Sequence, residues 1–481
     1  MEKIKNYIGG TFRPAQSGEW LDNVNPATGE IYSFIPDSDE QDVGEAVEAA
    51  KAAFPEWSRT PAAIRSKYML DIAERIEAQL EELAMDETND NGKPIWLSRN
   101  VDIPRASANF RFFATAILHW ETSTHMMDDT AVNYTHKSPL GVVGCISPWN
   151  LPLYLFTWKI APALAAGNCV VAKPSEITPL TAYRLAQICI DAGLPAGVLN
   201  IVHGSGPKAG QAIVEHKDVK AISFTGGTKT GEGIARTAAP MFKKLSLELG
   251  GKNPNIIFGD CDFEDAVKTT VRSSFSNQGQ ICLCGSRIYI EQNIYEKFRD
   301  ELVKRVQQQL VPADPLMKET RMGAVVSKSH KEKVLSYIEL AREEGGNILT
   351  GGAEADAGGR CKNGYFLQPT IIEGLSETCR TNQEEIFGPV VTLQPFETEE
   401  EVLGYANCTP YGLSATIWTS NLKRAHNLAH RLDSGIIWVN TWLLRDLRTP
   451  FGGMKQSGVG REGGYDALNF FSETRNVCIK L

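Results

Sequence analysis

The stretch GVVGCISPWN, residues 141–150, begins the part of the chain that decides the fold. Its apolar run Gly141–Ser147 predicts a strand, and a helix at Tyr154–Ala166 and a strand at Asn168–Lys173 follow. The alternation continues with a helix and two strands, at Thr178–Ala192, Val198–Val202 and Ala221–Thr225. Such β-α alternation predicts an α/β fold with a parallel sheet covered by helices on both faces.

A second α/β unit follows Gly250-Gly251, so the boundary between the units is predicted near Glu248–Lys252. Its predicted elements are the strand Asn255–Phe258, the helix Phe263–Phe275, and the strands Arg287–Glu291, Val390–Phe396, Ser414–Thr419 and Ile436–Asn440. Before residue 141, helical patterns cover Asp42–Phe54 and Pro61–Asn91.

Composition excludes several classes of partner. The net charge is −9 over 481 residues and no lysine- or arginine-rich run occurs, which argues against nucleic acid or an anionic membrane. No signal-peptide core and no bilayer-length apolar stretch is present. The ten cysteines are scattered rather than densely spaced, so we expect a reduced, cytoplasmic protein.

Two glycine-flanked segments carry the reactive groups. Cys282 ends SNQGQIC and Glu248 lies in LELGGK, 34 residues upstream (282 − 248 = 34). A thiol supplies a nucleophile and a carboxylate a general base, and glycine lets backbone amides approach a reacting group. Taken alone, Cys282 is better interpreted as a small buried apolar residue, since free cysteine is usually part of a core.

The two segments resemble the cysteine and glutamate signatures of the aldehyde dehydrogenase superfamily. The resemblance extends from Tyr7-Ile8-Gly9-Gly10 to the C-terminus. It implies two parallel-sheet α/β domains, a Rossmann-like NAD-binding domain at 1–121 and 139–249 and a catalytic domain at 250–465. It also implies a small β oligomerisation arm, at 122–138 and 466–481, through which the chain would associate as a dimer or tetramer.

The resemblance also implies the roles of the reacting groups. Cys282 attacks the aldehyde, and the side-chain amide of Asn150 and the backbone N–H of Cys282 stabilise the resulting oxyanion. Glu248 then activates the water that releases the acid. From the residues alone, Asn150 is also a typical turn residue between Pro148 and Pro152, and Glu248 also fits a solvated strand end.

Five segments are expected to bind NAD. Lys173 and Glu176 follow an apolar strand, where open α/β sheets bind ligands, and a carboxylate at Glu176 disfavours the 2′-phosphate of NADP. The family commonly has serine at the position of Gly227, so this chain is expected to lack a side-chain contact to the pyrophosphate there and to keep the backbone amide. The predicted cofactor residues are Ile146, Ser147, Pro148, Trp149, Lys173, Ser175, Glu176, Gly206, Phe224, Thr225, Gly226, Gly227, Glu385 and Phe387.

No metal site is predicted. Cys282-Leu283-Cys284 has only one residue between its thiols, which is too short for zinc, and His426 and His430 lack the glutamate of the HExxH pattern. Neither a GxSxG elbow beside a strand nor a Walker lysine loop is present.

Two further stretches, DIPRA with NFRFF and NTWLLRDLR, are most similar to the 2-aminomuconate and 2-hydroxymuconate semialdehyde dehydrogenases. Their substrates carry a carboxylate away from the aldehyde, and a planar guanidinium can clamp a carboxylate in bidentate fashion. By resemblance the clamp is Arg105 with Arg445. The alternative is surface ion pairs, Arg445 with Asp446 and Arg105 with Glu121 or Asp102.

Other functions remain as alternatives to a semialdehyde dehydrogenase. They are a broad-range aliphatic, betaine or retinal-type aldehyde dehydrogenase, an enzyme that passes its thioester to coenzyme A, and a catalytically silent structural member. Glu248 argues against acyl transfer to coenzyme A, which needs no water-activating base, and Cys282 with Asn150 argues against a silent protein.

Overall fold

Eight strands form the larger sheet of the computed structural model, which describes residues 1–481. In spatial order they are Gly458–Val459, Lys244–Glu248, Val219–Thr225, Val142–Ile146, Cys169–Lys173, Leu199–Ile201, Asn6–Ile8 and Thr11–Arg13. The five central strands are parallel, and the outer ones are antiparallel.

The order of these strands reverses beside Val142–Ile146. From that strand the chain first adds Cys169–Lys173 and Leu199–Ile201 on one side, and then Val219–Thr225 and Lys244–Glu248 on the other. The register aligns the strand ends, because Ile146 pairs with both Phe224 and Lys173 and Thr225 pairs with Glu248. Such a reversal opens a ligand crevice at the carboxyl ends of the strands.

Helices cover both faces of this sheet and form the largest apolar core with it. They are Glu40–Trp57, Ala62–Ala78, Leu80–Asn91, Ile103–Ala116, Pro152–Ala165, Leu180–Asp191, Gln211–Glu215 and Thr228–Ala238. The sequence predicted one continuous helix over Pro61–Asn91, and this is wrong in one respect. The structure has two helices there, which are separated at Gln79. Neither glycine nor proline marks that break, so the pattern gave no sign of it.

The second sheet has seven strands, in the order Asn347–Thr350, Thr370–Glu373, Val390–Phe396, Gly285–Glu291, Asn253–Ile257, Ser414–Trp418 and Ile436–Val439. All neighbours are parallel except the first pair. Its longer helices are Phe263–Phe275, Tyr295–Gln309, Lys328–Glu343, Glu399–Asn407 and Leu422–Arg431. The predicted α/β fold with two parallel sheets is confirmed.

A third, antiparallel sheet contains Ser472–Lys480, Ala131–Pro139 and Thr124–Met127. Two segments near it contact the first sheet and its core. The helix Gly464–Phe470 buries Ala467 and Leu468 in the first core, and the C-terminal strand begins after it, at Ser472. Gly458–Val459 joins the first sheet because glycine permits its close approach to Leu247.

The remaining strands are short. Glu2–Lys3, Glu30–Pro36 and Trp20–Asn25 form a small sheet, and Tyr411–Gly412 pairs with Met454–Lys455. None of the helices has the length and apolar character needed to cross a membrane.

Candidate functional site

A strained turn presents Cys282. Asn277, Gln278 and Gly279 have φ values of 51°, 56° and 70°, a left-handed conformation that is costly for residues other than glycine. A Cβ at Gly279 would lie 2.2 Å from the carbonyl oxygen of Gly388. Glycine is therefore required here by both backbone conformation and space.

Buried side-chain amides hold this turn in place. Gln278 Nε2 donates to the carbonyl of Ala324 at 2.9 Å, and Gln280 Oε1 accepts from the N–H of Val326 at 3.0 Å. Both amides are fully buried, so water does not compete for these bonds. The three residues before Ile281-Cys282 are thus anchored to a neighbouring segment, which fixes the backbone that carries the thiol.

Glu248 is the last residue of the strand Lys244–Glu248, and two glycines follow closely. A Cβ at Gly250 would lie 2.4 Å from Glu385 Oε2, and one at Gly251 would lie 2.9 Å from the carbonyl oxygen of Cys282. The Gly251 N–H donates to Glu385 Oε1 at 2.8 Å. Glycine therefore lets the Glu248 strand, Cys282 and Glu385 converge.

Asn150 is buried and held at both its amide and its carbonyl. Its Nδ2 donates to the carbonyl of Gln280 at 2.9 Å, and its own carbonyl accepts from Lys93 Nζ and from Asn277 Nδ2, each at 2.9 Å. An asparagine amide has two hydrogens, so one remains for a ligand. Asn150, Glu248 and Cys282 line one cavity of about 230 Å³.

The carboxyl and the thiol of this cavity favour their neutral forms. Burial, together with the nearby Glu462 carboxyl, raises the pKa of Glu248 to about 8. Burial, followed by the Glu248 and Glu385 carboxyls, raises the pKa of Cys282 well above its usual value. The Glu248 carboxyl and the Cys282 thiol line the same cavity and influence each other's pKa, as the base and the nucleophile of one site must.

Glu462 belongs to a buried cluster that the sequence did not reveal. Its carboxylate accepts from Lys159 Nζ at 2.8 Å and from Trp158 Nε1 at 2.7 Å. More than 200 residues separate Glu462 from Glu248 in the chain, as their positions show. No local motif indicates that Glu462 lies near Glu248, because their proximity depends on the strand Gly458–Val459 joining the first sheet.

The crevice at the switch in strand order fits a dinucleotide. The hydroxyls of Ser147 and Thr225 are buried there without any hydrogen-bond partner, which signals a polar ligand. Gly227 is the N-cap of the helix Thr228–Ala238 and has open space where a Cβ would be. The free amides of that first helical turn can meet a pyrophosphate. Ile146 and Phe224 end neighbouring strands, and the Phe224 ring packs against Gly226.

Lys173, Glu176 and Gly206 meet at the next strand end. Lys173 Nζ lies 3.0 Å from Glu176 Oε2, and the Gly206 N–H donates to Glu176 Oε1 at 3.3 Å. Ser175 is buried and accepts from the Ile177 N–H. About a third of the Glu176 side chain is exposed (34%), so its carboxylate can accept hydrogen bonds from a ligand.

Aromatic rings form the other wall of the Cys282 cavity, where Pro148, Trp149, Glu385 and Phe387 lie as lining residues. The Trp149 and Phe387 rings meet edge to face at 5.3 Å, and Phe387 has a φ of 61°. His330 Nε2 lies 2.7 Å from the Phe387 carbonyl, and Lys333 Nζ donates to that of Glu385. The sequence prediction missed His330 and Lys333, because a helix without a glycine motif carries them.

Arg105 and Arg445 lie together beyond the catalytic cavity. Their guanidinium carbons lie 5.8 and 4.7 Å from the centre of the Trp158 ring, and Arg445 also packs on Phe451 at 3.7 Å. Arg445 Nη1 donates to Tyr154 Oη at 3.3 Å. Nε and Nη2 of Arg105 and Nη2 of Arg445 are buried without a hydrogen-bond partner.

The alternative ion pairs for these arginines do not form. Asp446 accepts two hydrogen bonds from the side chain of Arg448 rather than from Arg445, and Asp102 pairs with Lys93 rather than with Arg105. Neither Arg105 nor Arg445 therefore forms an ion pair, and burial, opposed in part by Tyr154, lowers the pKa of Arg105. Guanidinium nitrogens that are buried without an acceptor make a site for an anion.

Comparison with known proteins identifies the family. The model of the Aldehyde dehydrogenase family matches residues 12–477. The chain belongs to the aldehyde dehydrogenase family. It is therefore an oxidoreductase that acts on aldehydes, with NAD as its cofactor, and the resemblance seen in the sequence is confirmed.

Particular aldehyde dehydrogenases are similar over their whole lengths. The "2-aminomuconic semialdehyde dehydrogenase" of Danio rerio is 51% identical, covering 99% of this chain and 98% of the relative. The "2-hydroxymuconic semialdehyde dehydrogenase" of Pseudomonas sp. strain CF600 is 46% identical, covering 100% of both. A solved NAD+ complex of an aldehyde dehydrogenase from Bacillus cereus is 40% identical with a TM-score of 0.97, covering 100% of this chain and 97% of that one.

This aldehyde dehydrogenase also has a larger cavity, of about 740 Å³, on another side of the nucleophile segment. Phe275, Ser276 and Asn277 line it, but Cys282, Glu248 and Asn150 do not. Its cations, Lys268, Arg272 and Arg321, are exposed to solvent. The smaller cavity around Cys282 is therefore the one with the reactive groups.

Proposed function

We propose that this aldehyde dehydrogenase oxidises a semialdehyde that carries a distal carboxylate, such as 2-aminomuconate or 2-hydroxymuconate semialdehyde, to the acid. The observation that carries the proposal is the pair Arg105 and Arg445, in which three guanidinium nitrogens are buried without a hydrogen-bond acceptor. The names of the similar relatives support the same substrate class. The aldehydes of a broad-range aliphatic, betaine or retinal-type enzyme carry no carboxylate that could bind to this pair.

In the first half of the reaction, Cys282 is the proposed nucleophile. Its thiol proton passes to solvent in the cavity that Cys282 lines, and the thiolate sulfur bonds to the aldehyde carbon. The carbonyl oxygen becomes negative, and the free hydrogen of the Asn150 amide and the backbone N–H of Cys282 stabilise it. Bound NAD supplies the acceptor for the hydride that leaves this carbon, and Cys282 is left as a thioester.

In the second half, Glu248 is the proposed general base. It removes a proton from water, the hydroxide oxygen bonds to the thioester carbon, and the carbon–sulfur bond breaks to release the acid. The pKa of Glu248, raised by burial to about 8, suits this task. A general base is most effective when its pKa lies near the working pH.

The proposed cofactor contacts predict a preference between NAD and NADP. A carboxylate at Glu176 repels a 2′-phosphate, so NAD should have the higher kcat/KM. Glu176→Gln should reduce the preference by roughly tenfold, equivalent to about 1.4 kcal/mol. Initial rates with the two cofactors measure this, and equal use of both by the unaltered enzyme would show that Glu176 takes no part in the choice.

We also propose the division of labour among the three sheets. Residues 1–121 and 139–249 form the NAD-binding domain, 250–465 the catalytic domain, and 122–138 with 466–481 an arm for self-association as a dimer or tetramer. The exposed Met126, Met127 and Ile479 on the arm sheet support this role. Sedimentation equilibrium of the enzyme and of Met126→Asp tests it. The reduced cysteines fit a cytoplasmic enzyme.

One set of assays tests the proposed function. The enzyme is mixed with NAD and with aldehydes that carry or lack a distal carboxylate, in the presence and absence of coenzyme A. NADH absorbance should appear fastest with the carboxylate-bearing semialdehyde, and coenzyme A should make no difference. A requirement for coenzyme A would indicate acyl transfer, and equal rates with all aldehydes would refute the substrate class.

A further inference from the structure

A fully buried charge cluster lies between the two ends of the proposed substrate site. Lys93 Nζ lies 2.5 Å from Asp102 Oδ2 and 3.6 Å from Glu87 Oε1, and all three side chains have no exposed surface. The same Nζ donates to the backbone carbonyl of Asn150 at 2.9 Å. Lys93 thus contacts directly the residue that stabilises the proposed oxyanion.

The cluster also contacts the element that carries Arg105. Asp102 ends the π-helical turn Ser98–Asp102, and Arg105 lies one turn later in the helix Ile103–Ala116. Single π-helical turns inside α-helices occur often at functional sites, because they redirect the residues that follow. The position of Asp102 therefore sets where that helix begins and where Arg105 is directed.

Asn109 joins the same helix to the segment after Asn150. Its Nδ2 donates to the Tyr154 carbonyl and to Thr157 Oγ1, each at 3.0 Å, in the helix Pro152–Ala165. Lys93 and Asn109 thus hold the two helices at two points. The distance between the aldehyde end and the carboxylate end of the site is set by this frame.

A role in stability alone does not account for the cluster. Glu87 Oε1 and Asp102 Oδ1 are buried and accept no hydrogen bond. Burial raises the pKa of both carboxyls, although Lys93 opposes the rise. Burying ions is costly, and apolar residues of similar volume often give equal or greater stability. The contribution of these charged groups is instead to fix the relative positions of the segments that they join.

We propose that Lys93 is a positioning residue that holds Asn150 and the Arg105 helix in one register, so that one substrate is recognised at both ends. The proposal rests on the roles proposed for Asn150 and Arg105. Asp102 transmits the constraint to the helix, and Glu87 compensates the lysine charge. Lys93 itself does not reach the substrate.

The experiment uses the full-length enzyme with two aldehydes, 2-hydroxymuconate semialdehyde and hexanal. Lys93→Met should slow the single-turnover formation of NADH about 100-fold on both, because the freed Asn150 shifts from its catalytic position. Asp102→Ala should raise KM about tenfold for the carboxylate-bearing aldehyde and leave hexanal unchanged. Asp102→Asn keeps an acceptor for Lys93 and should restore KM.

Lys243 provides the matched control. It is a buried lysine that donates to the Val214 and His216 carbonyls. Lys243→Met should lower the melting temperature and leave both rates unchanged. Wild-type NADH formation in Lys93→Met, or equal losses on both aldehydes in Asp102→Ala, would overturn the proposal. If Lys93→Met does not fold, Asp102→Ala and Asp102→Asn decide it.

The hexanal assays separate this inference from the proposed substrate. An unaltered enzyme without preference for the carboxylate-bearing aldehyde refutes the substrate class, whatever the variants do. The effect of Lys93→Met on hexanal still tests the hold on Asn150, since hexanal has no carboxylate to lose.

Discussion

The two ends of the proposed site contain ionisable groups of opposite kinds, carboxyls at one and guanidiniums at the other. Around Cys282 lie the carboxyls of Glu248 and Glu385, and burial raises the pKa of both. Beyond it lie Arg105 and Arg445, whose guanidiniums contain buried nitrogens without acceptors. A carboxyl can relieve the cost of burial by taking a proton, but a guanidinium keeps its charge at any physiological pH.

This difference assigns different tasks to the two ends. Groups that exchange protons near neutral pH serve the chemistry, which is the same for every aldehyde. Groups that remain charged attract an anion and so distinguish one aldehyde from another. Substitutions at the carboxyl end should therefore affect all substrates, whereas substitutions at the arginine end should affect only those with a carboxylate.

The largest expected effect is at the nucleophile. Cys282→Ala should abolish turnover of every aldehyde and still bind NAD, because the crevice residues are unchanged. Cys284→Ala is the control, since this thiol is buried outside the cavity that Cys282 and Glu248 line. NADH formation and NAD titration measure the two properties. Activity in Cys282→Ala together with its loss in Cys284→Ala would reassign the nucleophile.

Loss of the base should separate the two half-reactions. Glu248→Gln should lower steady-state turnover by about 10²- to 10⁴-fold, yet give one equivalent of NADH and a thioester on Cys282. Stopped-flow absorbance and mass spectrometry detect these products. Absence of the adduct would mean that Glu248 is required for acylation as well.

The same base predicts a pH dependence. Glu248 acts when it has lost its proton, and its pKa is raised to about 8. Turnover limited by hydrolysis should therefore rise with pH up to about 8 and level off above it. Glu248→Gln should remove this dependence from its residual rate. A turnover that is flat from pH 6 to 9 in the unaltered enzyme would contradict the assignment.

Loss of the oxyanion donor should have the next smaller effect. Asn150→Ala should slow single-turnover NADH formation about 10²- to 10³-fold with any aldehyde, because a preorganised donor contributes that much. Asn150→Asp keeps the shape of the side chain and replaces the donor by an acceptor, so its single-turnover rate should be no higher than that of Asn150→Ala. An unchanged single-turnover rate in Asn150→Ala would exclude the residue from the mechanism.

Sequence patterns predicted the parallel sheets because strand and helix periodicities alternate locally. The region 142–291 shows this, since its predicted strands fall on observed ones within a few residues. Contacts between distant segments were not predictable in this way. The addition of Gly458–Val459 to the first sheet depends on tertiary packing, and no periodicity extends over two residues.

The residues of the site also divide into those that the sequence indicated and those that only the fold revealed. Glycine motifs indicated the segments of Cys282 and Glu248, because the backbones approach so closely there that a side chain larger than that of glycine does not fit. No local pattern indicates which distant residues Glu462, His330 and Lys93 contact, so only the fold reveals these contacts. The absence of a partner for Arg445 likewise becomes visible only when Asp446 is seen to bind Arg448.

The most direct test of the contrast between the two ends is the selectivity of arginine variants. Arg445→Ala and Arg105→Ala should each lose about 10- to 100-fold in kcat/KM on 2-hydroxymuconate semialdehyde, equivalent to about 1.5–3 kcal/mol from charged hydrogen bonds. Hexanal should lose little. Arg445→Lys should recover only part of the loss, and Arg448→Ala, which removes an exposed arginine, is the control. Equal losses on both aldehydes would mean that the arginines support the fold rather than select the substrate.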